Sequence, residues 1–189
     1  MTAVVLDVNL SLDGFAAAPG SRPGQPLGDG GDRLREWAMG PEVGRTPKPA
    51  ASAGALICGR RTYETSLPEW GAGGPHSPTP VFVVTHTAPD GPRGDSVYTF
   101  VTDGVRPAVE RARSAAGDRD VRIMGGPALG QQCLAAGLVD EILVHLVPWL
   151  LTAGTPMFEN LGRGPVGLEV VEVVDTPAVT HLHYRVVRG

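Results

Sequence analysis

The residues with the clearest chemical potential stand where a strand-like segment ends in glycine and a helix-like segment follows at once. This occurs twice, at residues 121–130 (VRIMGGPALG) and at residues 55–64 (ALICGRRTYE). A helix that begins after glycine presents unpaired backbone N–H groups at the positive end of its dipole, and these attract phosphate. Glycine also lets the ligand approach because it has no Cβ. Either junction alone is typical of an ordinary tight turn. Two of them predict an extended ligand with two phosphates, such as a dinucleotide.

Arg60 and Arg61 strengthen this prediction at the earlier junction. A cation at a helix N-terminus has the unfavourable sign for the helix dipole. A bound phosphate removes that conflict, so we favour a ligand-binding role for these arginines over a merely solvated helix start.

Other residues that could act in chemistry have a structural interpretation beside the functional one. Asp32 opens a predicted helix, where it can cap the first turn and can also serve as an acid. His145 alternates with apolar residues on a predicted strand, which favours a hydrogen-bonded interior histidine over contact with a substrate. The HxH pattern of His181 and His183 lacks an accompanying carboxylate or cysteine cluster, so we predict a solvated strand face and no metal site.

The three tryptophans, Trp37, Trp70 and Trp149, are expected to be core or interface residues. Trp37 could also line a substrate cleft. The late strands and the run at residues 142–151 offer more apolar surface than one small sheet needs to cover, and Trp149 looks exposed within that run. We therefore predict a homodimer.

Composition predicts one globular domain that spans residues 1–189. Of these 189 residues, 42% are hydrophobic and 19% are charged. A net charge of -4 offers no basic surface for nucleic acid. The two cysteines lie in apolar segments without CxxC spacing, which indicates buried thiols. Signal-peptide features and apolar stretches of membrane-spanning length are absent from the sequence, so we expect a cytoplasmic protein without a membrane partner.

Strand-like and helix-like segments alternate along most of the chain. Strands are predicted at residues 4–10, 55–58, 81–85, 97–101, 121–124 and 141–147, and helices at residues 32–39, 60–66, from the N-cap Asp103 to the stop Gly117, and 128–136. Two late strands, at residues 168–174 and 179–187, have only a turn between them. The pattern predicts an α/β fold with a mostly parallel mixed sheet, helices on both faces and a C-terminal antiparallel hairpin.

Five segments also give the sequence a family resemblance. They are SLDGFAA at residues 11–17, GRRTYE at 59–64, VTH at 84–86, MGGP at 124–127 and GLVDE at 137–141. In this order they resemble dihydrofolate-reductase-like proteins, and more closely the bacterial bifunctional deaminase-reductase C-terminal domain group. The resemblance implies a three-layer sandwich. The H-x-E and P-C-x-x-C motifs of a deaminase are absent, so the chain resembles a stand-alone reductase domain.

The resemblance implies NADPH bound over the carboxyl ends of the strands. Arg60 matches the position at which the family places an arginine near the adenosine 2′-phosphate. Residues at the other matching positions imply a cofactor site composed of Asn9, Ala16, Ala17, Gly59, Arg60, Arg61, Thr62, Thr85, His86, Met124, Gly125, Gly126, Pro127, Ala128 and Leu129. The corresponding substrate-side residues are Phe15, Trp37 and His145.

The chain departs from the folate enzymes at two points. Residues 28–31 (GDGG) precede the acidic helix where those enzymes have a tryptophan, and Pro127 occupies the position of a third glycine. Asp32 matches the substrate-binding carboxylate, with Asp29 and Glu36 as alternatives. The leading hypothesis is an NADPH-dependent reductase that transfers a hydride to a C=N or C=O group of a small pterin-like or ribityl-type substrate. Asp32 would supply or orient the proton. A non-catalytic nucleotide-binding module and a flavin-dependent enzyme remain as alternatives.

Overall fold

The computed structural model describes residues 2–89, 95–159, 161–162 and 164–187. The strands are β1 (Val4–Ser11), β2 (Phe15–Ala17), β3 (Ala55–Gly59), β4 (Val81–Val84), β5 (Tyr98–Val101), β6 (Val121–Met124), β7 (Glu141–Val147), β8 (Thr155–Pro156), β9 (Leu168–Asp175) and β10 (Thr180–Val186). The helices are α1 (Arg60–Trp70), α2 (Val105–Ala116) and α3 (Pro127–Ala135), and 3₁₀-helices cover Gly31–Met39, Pro41–Arg45 and Ala50–Ser52.

Eight strands form one sheet in the order β5-β4-β3-β6-β1-β7-β10-β9. The strands from β5 to β7 in this order all run parallel. The last two, β10 and β9, add to the sheet by antiparallel pairing. Strands β2 and β8 pair separately. The structure thus confirms the mostly parallel mixed sheet with a C-terminal antiparallel pair.

One face of the sheet is apolar and packs against α2 and α3. The alternation along β1 directs Val4, Leu6, Val8 and Leu10 to this face. The two helices contribute Ala108, Val109, Ala112, Ala116, Leu129, Cys133 and Leu134. A fully buried Val or Leu side chain contributes about 1.5–3 kcal/mol to folding, so this layer is a main source of stability.

The opposite face is covered by α1 and by the 3₁₀-helix Gly31–Met39. Helix α1 packs its Tyr63 and Leu67 near β3 and β4, and the 3₁₀-helix packs Leu34 and Trp37 against Val147. The alternation of β1 directs Asp7 and Asn9 to this face. Polar side chains therefore lie within the sandwich on this side.

Two predicted helix starts are wrong in detail. The segment predicted as a helix at residues 32–39 is a 3₁₀-helix whose N-cap is Gly30, not Asp32, because Gly30 adopts a φ of 78° that favours glycine. Ala38 of this 3₁₀-helix is exposed although it is apolar. Helix α2 is entered through Gly104 at a φ of 102°. Asp103 therefore does not cap it, and forms an ion pair with Arg111 instead.

Helix α1 is longer than predicted, because it continues past Ser66 through Pro68 to Trp70. Gly71 ends it at a φ of 56°. The short strands β2 and β8 were not predicted, since segments of so few residues carry no periodicity. Among the residues that the structure describes, no helix is both long and apolar enough to cross a membrane.

Candidate active site

The two glycine junctions come together at the carboxyl ends of the central strands. Gly59 is the N-cap of α1 and Gly126 is the N-cap of α3, and neither helix has a side-chain cap or an acidic residue in its first turn. The backbone N–H of Gly126 donates to Thr62 Oγ1 at 3.0 Å, which joins the two helix starts. The first-turn N–H groups of α1 therefore lie beside the N–H of Ala128 in α3, where Pro127 has no N–H and Leu129 N–H donates to the carbonyl oxygen of Gly126 at 3.0 Å. This arrangement suits a ligand with adjacent phosphates.

Gly125 and Gly126, the two glycines of the later junction, are required for different structural reasons. Gly125 adopts a φ of +59°, and a Cβ there would meet nothing within 4 Å. Gly126 has an ordinary φ of -58°. A Cβ on Gly126 would stand 3.2 Å from Thr62 Oγ1. Gly125 is therefore required by backbone conformation, whereas Gly126 keeps the space between the two helix starts open.

A cleft of about 490 Å³ adjoins the start of α1 and the end of β4. Four predicted cofactor residues line it, namely Arg60, Thr85, His86 and Leu129. Glu64 lines the same cleft. The cleft is continuous with the N-terminal turn of α1 through Arg60, so it is suited to the adenosine end of a dinucleotide.

Arg60 spans this cleft. Its Nη1 donates to the carbonyl oxygen of Thr87 at 2.9 Å, and its Nε donates to Glu64 Oε1 at 2.5 Å. The guanidinium is thereby held over the cleft with further N–H groups available for an anion. The carboxylate of Glu64 disfavours a phosphate in this cleft, because both anions would have to share the guanidinium of Arg60.

The other predicted cofactor residues surround the same end of the sheet. Met124 is the last residue of β6 and pairs with Asp7 of β1, so Asn9, two residues further along β1, lies level with the turn that follows β6. Ala16 and Ala17 lie on β2, and Pro127 is the first residue of α3. Among the predicted cofactor residues, Arg61, His86 and Ala128 are exposed, and Gly59 has no side chain.

The predicted substrate residues divide into two groups. Trp37 and His145 lie together, with ring centroids 4.4 Å apart, and both are buried. Phe15 is partly buried on β2, and its backbone N–H donates to Ser11 Oγ at 3.0 Å. Trp37 and His145 are thus part of the sandwich interior, as the structural interpretation of each predicted.

The candidate acids lie on or near the 3₁₀-helix Gly31–Met39, and each is ion-paired. Asp32 pairs with Arg35 at 3.1 Å. The alternatives are also ion-paired, Asp29 with Arg22 at 2.8 Å and Glu36 with Arg33 at 2.7 Å. These three arginine partners hold carboxylates that are about half exposed or more.

Arg35 also connects this 3₁₀-helix to α1. Its Nη1 donates to both carboxylate oxygens of Glu69, at 2.9 and 2.6 Å. Asp32, Arg35 and Glu69 therefore form a polar bridge between the two elements that cover this face of the sheet. Of the candidate carboxylates, Asp32 is the one held in this bridge.

A buried polar network that was not predicted lies on the same face. Arg122, 1% exposed, pairs with Asp7 at 2.6 Å. The other oxygen of Asp7 bonds to His145 Nε2 at 2.8 Å. His145 Nδ1 lies 2.6 Å from Nδ1 of His181. Four side chains from four adjacent strands of the sheet thus form one chain of hydrogen bonds.

His181 and His183 are fully or almost fully buried, so the predicted solvated face is wrong. The reason is tertiary, since β9 covers the edge of β10 and Trp37 lies against the ring of His181 with centroids 4.9 Å apart. His183 bonds to Glu141 at 2.9 Å. No group of three or more His, Cys, Asp or Glu side chains in the described ranges is arranged to hold a metal ion.

The network defines the protonation of its members. Burial raises the pKa of Asp7, but the charges and hydrogen bonds of His145 and Arg122 outweigh it and lower the pKa to about 2. Burial, with the neighbouring His145, lowers the pKa of His181 to about 4. An ionised Asp7 requires a proton on His145 Nε2. One of the two facing Nδ1 atoms of His145 and His181 donates to the other, and His181 Nε2 is buried without a hydrogen-bond partner among the described residues.

A signal for Asp7 and Arg122 is present in the sequence. Each is the only charged residue of a mostly apolar strand segment, VVLDVNL for Asp7 and VRIM for Arg122. A charged residue within a buried strand requires a partner of opposite charge. The opposite charges of Asp7 and Arg122 therefore indicate that the two residues could pair. Whether their strands are adjacent depends on the order of strands in the sheet, which the two segments do not show.

Solved structures share this fold. A putative riboflavin biosynthesis protein from Shewanella sp. PV-4 superposes with a TM-score of 0.72 at 24% identity, covering 99% of this chain and 100% of that one. A pyrimidine reductase-like protein from Corynebacterium diphtheriae gives a TM-score of 0.64 at 14% identity, with 100% and 93% covered. At these identities the likeness establishes the fold alone.

A third relative places the fold within a larger protein. A Thermotoga maritima diaminohydroxyphosphoribosylaminopyrimidine deaminase/5-amino-6-(5-phosphoribosylamino)uracil reductase gives a TM-score of 0.64 at 13% identity, and the match covers 98% of this chain but 57% of that one. This chain thus corresponds to a part of the bifunctional protein. No curated protein matches the sequence significantly.

The family assignment comes from the sequence itself. The profile of the RibD C-terminal domain matches residues 2–182, which is nearly the whole chain. This agrees with the five motifs, with the sheet order and with the structural neighbours. The chain belongs to the RibD C-terminal domain family.

Proposed function

We propose that this protein is an NADPH-dependent reductase of a small polar substrate. Membership of the RibD C-terminal domain family supports a reductase role. The observation that carries the cofactor proposal is the pairing of two uncapped helix starts, joined by the hydrogen bond from Gly126 to Thr62, beside a cleft that contains Arg60.

The residues of this end of the sheet fit a dinucleotide. The first-turn N–H groups of α1 and the N–H of Ala128 in α3 can bind the two phosphates, and the first turns carry no acidic residue to oppose them. Arg60 can form charge-assisted hydrogen bonds to a 2′-phosphate in the adjoining cleft. The nicotinamide end then extends towards β1 at Asn9 and towards β2.

When bound, the dihydronicotinamide supplies a hydride from C4. The residues of this chain orient the ligands and supply the proton. Gly126 permits close approach of the backbone, and the sandwich interior around Trp37 and His145 excludes water from one side of the site. Asp32, held by Arg35, is the proposed proton donor or the residue that orients a water for this purpose.

The substrate class is proposed from the relatives. The name of the Thermotoga maritima relative includes 5-amino-6-(5-phosphoribosylamino)uracil reductase, and the Shewanella relative is named as a putative riboflavin biosynthesis protein. We infer a substrate with a C=N or C=O group on a pterin-like ring or a ribityl-type chain. The polar bridge of Asp32, Arg35 and Glu69 offers both charges to such a polar molecule.

A non-catalytic nucleotide-binding module is the second candidate. One observation favours it. Each of the three candidate acids, Asp29, Asp32 and Glu36, forms an ion pair with an arginine. In that case the helix starts bind the nucleotide and no hydride is transferred.

Titration of NADPH fluorescence against the purified protein tests the cofactor proposal. We expect saturable binding in the micromolar range, and absence of saturation at high micromolar NADPH would contradict the proposal.

A panel of pterin, folate and ribityl-type carbonyl compounds, with NADPH oxidation followed by absorbance, then separates the reductase from the nucleotide-binding module. Oxidation that depends on one of these compounds supports a reductase, and binding without oxidation across the panel supports the module. A yellow purified protein would point to flavin instead.

We also propose that the protein forms a homodimer through β9. This edge strand exposes Leu168, Val170, Val171 and Val173, with exposed fractions from 43% to 66%. An open strand edge with apolar side chains favours pairing with another chain. Light scattering at micromolar concentration should give about twice the chain mass of 19.7 kDa. A monomeric mass would contradict the dimer, and Val170→Lys should convert a true dimer to monomer.

A further inference from the structure

The side chain of Asn9 has a defined orientation. Trp37 Nε1 lies 2.9 Å from Asn9 Oδ1. An indole N–H can only donate, so the amide atom that faces it must be the carbonyl oxygen. The NH₂ group of Asn9 consequently points away from Trp37, and no hydrogen bond joins that NH₂ group to any other part of the chain that the structure describes.

The buried network fixes this orientation. Trp37 is 8% exposed and packs on the rings of His145 and His181, with centroids 4.4 and 4.9 Å away. Those imidazoles are in turn bonded to each other and to Asp7. Trp37 therefore has little freedom to move, and Asn9 cannot reverse its amide without leaving the indole N–H unpaired in a buried place, which costs about 1–3 kcal/mol.

The direction of the NH₂ group follows from the strand order. Asn9 pairs with His145 on β7, and His145 pairs with His181 on β10. Trp37 covers those two histidines, so it lies on the β7 side of Asn9. On the other side, β6 stops pairing with β1 at Met124 and gives way to the turn at Gly125. The NH₂ group of Asn9 is therefore turned towards the turn that is proposed to bind the cofactor.

We propose that Asn9 is an oriented hydrogen-bond donor that recognises a carbonyl oxygen of a ligand where cofactor and substrate meet. The inference rests on the proposed function. A carbonyl oxygen in that place belongs to the carboxamide of a nicotinamide or to the substrate, and an amide NH₂ donates to either in the same way. Trp37 is the positioning residue, since it acts only through the amide of Asn9.

Asn9→Asp is the sharpest variant. The aspartate has the same shape and still accepts from the indole N–H of Trp37, but it offers an anionic oxygen where asparagine offers N–H donors. A ligand carbonyl at this position loses a hydrogen bond and meets a negative charge. Adenosine 2′,5′-bisphosphate is the matched control ligand, because it carries the adenosine and the 2′-phosphate but no nicotinamide.

We expect Asn9→Asp to weaken NADPH roughly tenfold or more and to leave adenosine 2′,5′-bisphosphate unchanged. This result supports the inference and assigns the carbonyl to the nicotinamide. Unchanged NADPH affinity with a KM for the carbonyl substrate raised by a similar factor also supports it and assigns the carbonyl to the substrate. Unchanged affinity and unchanged KM would overturn it. A wild-type protein that binds no NADPH would instead overturn the proposed function, and the inference with it.

Trp37→Phe is the second variant, and it keeps an aromatic ring in the buried position while it removes the N–H. The amide of Asn9 is then free to rotate, so we expect a smaller loss of NADPH affinity, about two- to fivefold. The side-chain ¹⁵N–¹H₂ signals of Asn9, identified in the wild type by their proximity to the indole N–H of Trp37 in a nuclear Overhauser spectrum, provide a measurement that a purely structural role would not affect. They should shift when ligand is added to the wild type, and signals that do not move at saturation would overturn the inference even if Asn9→Asp fails to fold.

Discussion

The two faces of the sheet are built on opposite principles, although the same strands supply both. Val4, Leu6 and Val8 of β1 face α2 and α3 in an apolar layer, whereas Asp7 and Asn9 of the same strand face α1 and the 3₁₀-helix Gly31–Met39. The apolar layer can be filled by any side chains of suitable volume. The polar face allows few substitutions, because each buried group depends on a particular partner. The difference indicates that one face stabilises the fold while the other positions the site.

The largest effect is expected where a buried charge loses its partner. Asp7→Leu leaves the guanidinium of Arg122 buried and unpaired, and should lower the free energy of unfolding by about 3–5 kcal/mol. Ile123 follows Arg122 on β6 and faces the apolar layer. Ile123→Val should lower the free energy of unfolding by only about 0.5–1.5 kcal/mol. Urea unfolding measures both.

The double variant Asp7→Leu/Arg122→Met sharpens the comparison. Replacing both charges by apolar side chains should recover most of the stability that Asp7→Leu loses. A double variant that is no more stable than Asp7→Leu would show that the ion pair itself, and not the stranded charge, governs the stability of the polar face.

The glycine turn provides the next largest effect. Gly126→Val places a side chain between the two helix starts and should weaken NADPH by a hundredfold or more, which is about 3 kcal/mol, while the protein still folds. Gly125→Ala is the control, since its positive φ should cost about 1–2 kcal/mol of stability and leave binding largely intact. Melting temperature and NADPH affinity are measured for both. A destabilised Gly126→Val with intact affinity would remove the turn from the cofactor site.

Cofactor preference should respond to two residues of the cleft in opposite directions. Arg60→Ala should weaken NADPH roughly ten- to hundredfold, about 1.5–3 kcal/mol, and leave NADH nearly unchanged, because NADH lacks the 2′-phosphate. Glu64→Gln removes the carboxylate that shares Arg60 and should tighten NADPH. Equal losses for both cofactors in Arg60→Ala would show that Arg60 does not contact the 2′-phosphate.

The last expected effect is a pH dependence of stability. The pKa of His181 is lowered from 6.5 to about 4 by burial and by His145. Between these values the unfolded chain binds the proton and the folded protein does not, so stability is lost as the pH falls from 6.5 towards 4. The slope contributed by one histidine is at most about 1.4 kcal/mol per pH unit.

His181→Phe should flatten this dependence. His76, whose pKa burial also lowers, contributes in the same direction, so the quantity to compare is the difference in slope between wild type and variant. Urea unfolding at several pH values between 4 and 7 gives that difference. An unchanged slope would show that His181 does not titrate on unfolding in this window.

Sequence reasoning was accurate for the apolar face and incomplete for the polar one, for a physical reason. The alternation of Val4, Leu6 and Val8 predicts a strand and its buried face without knowledge of its neighbours. Burial of His181 depends on β9 and Trp37, which are brought there by the whole fold, so the HxH pattern alone indicated a solvated face.

The same limit applies to the candidate site. The glycine junctions were recognisable because their chemistry is local to one strand end and one helix start. The network that joins Asp7, Arg122 and His145 has members far apart in sequence, and its form depends on the order of the strands. Local rules also failed at Gly30 and Gly104, where backbone conformation and not a capping side chain determines the helix start.

The central claim is that the starts of α1 and α3 bind the phosphates of NADPH. Backbone ¹⁵N–¹H spectra recorded during a titration with NADPH test it most directly. We expect the largest saturable shifts at the amides of Arg60, Arg61 and Thr62 in α1 and of Ala128 in α3. Shifts concentrated instead at a separate cleft lined by Glu141, Glu169 and Arg185, or no saturable shifts at the two helix starts, would contradict it.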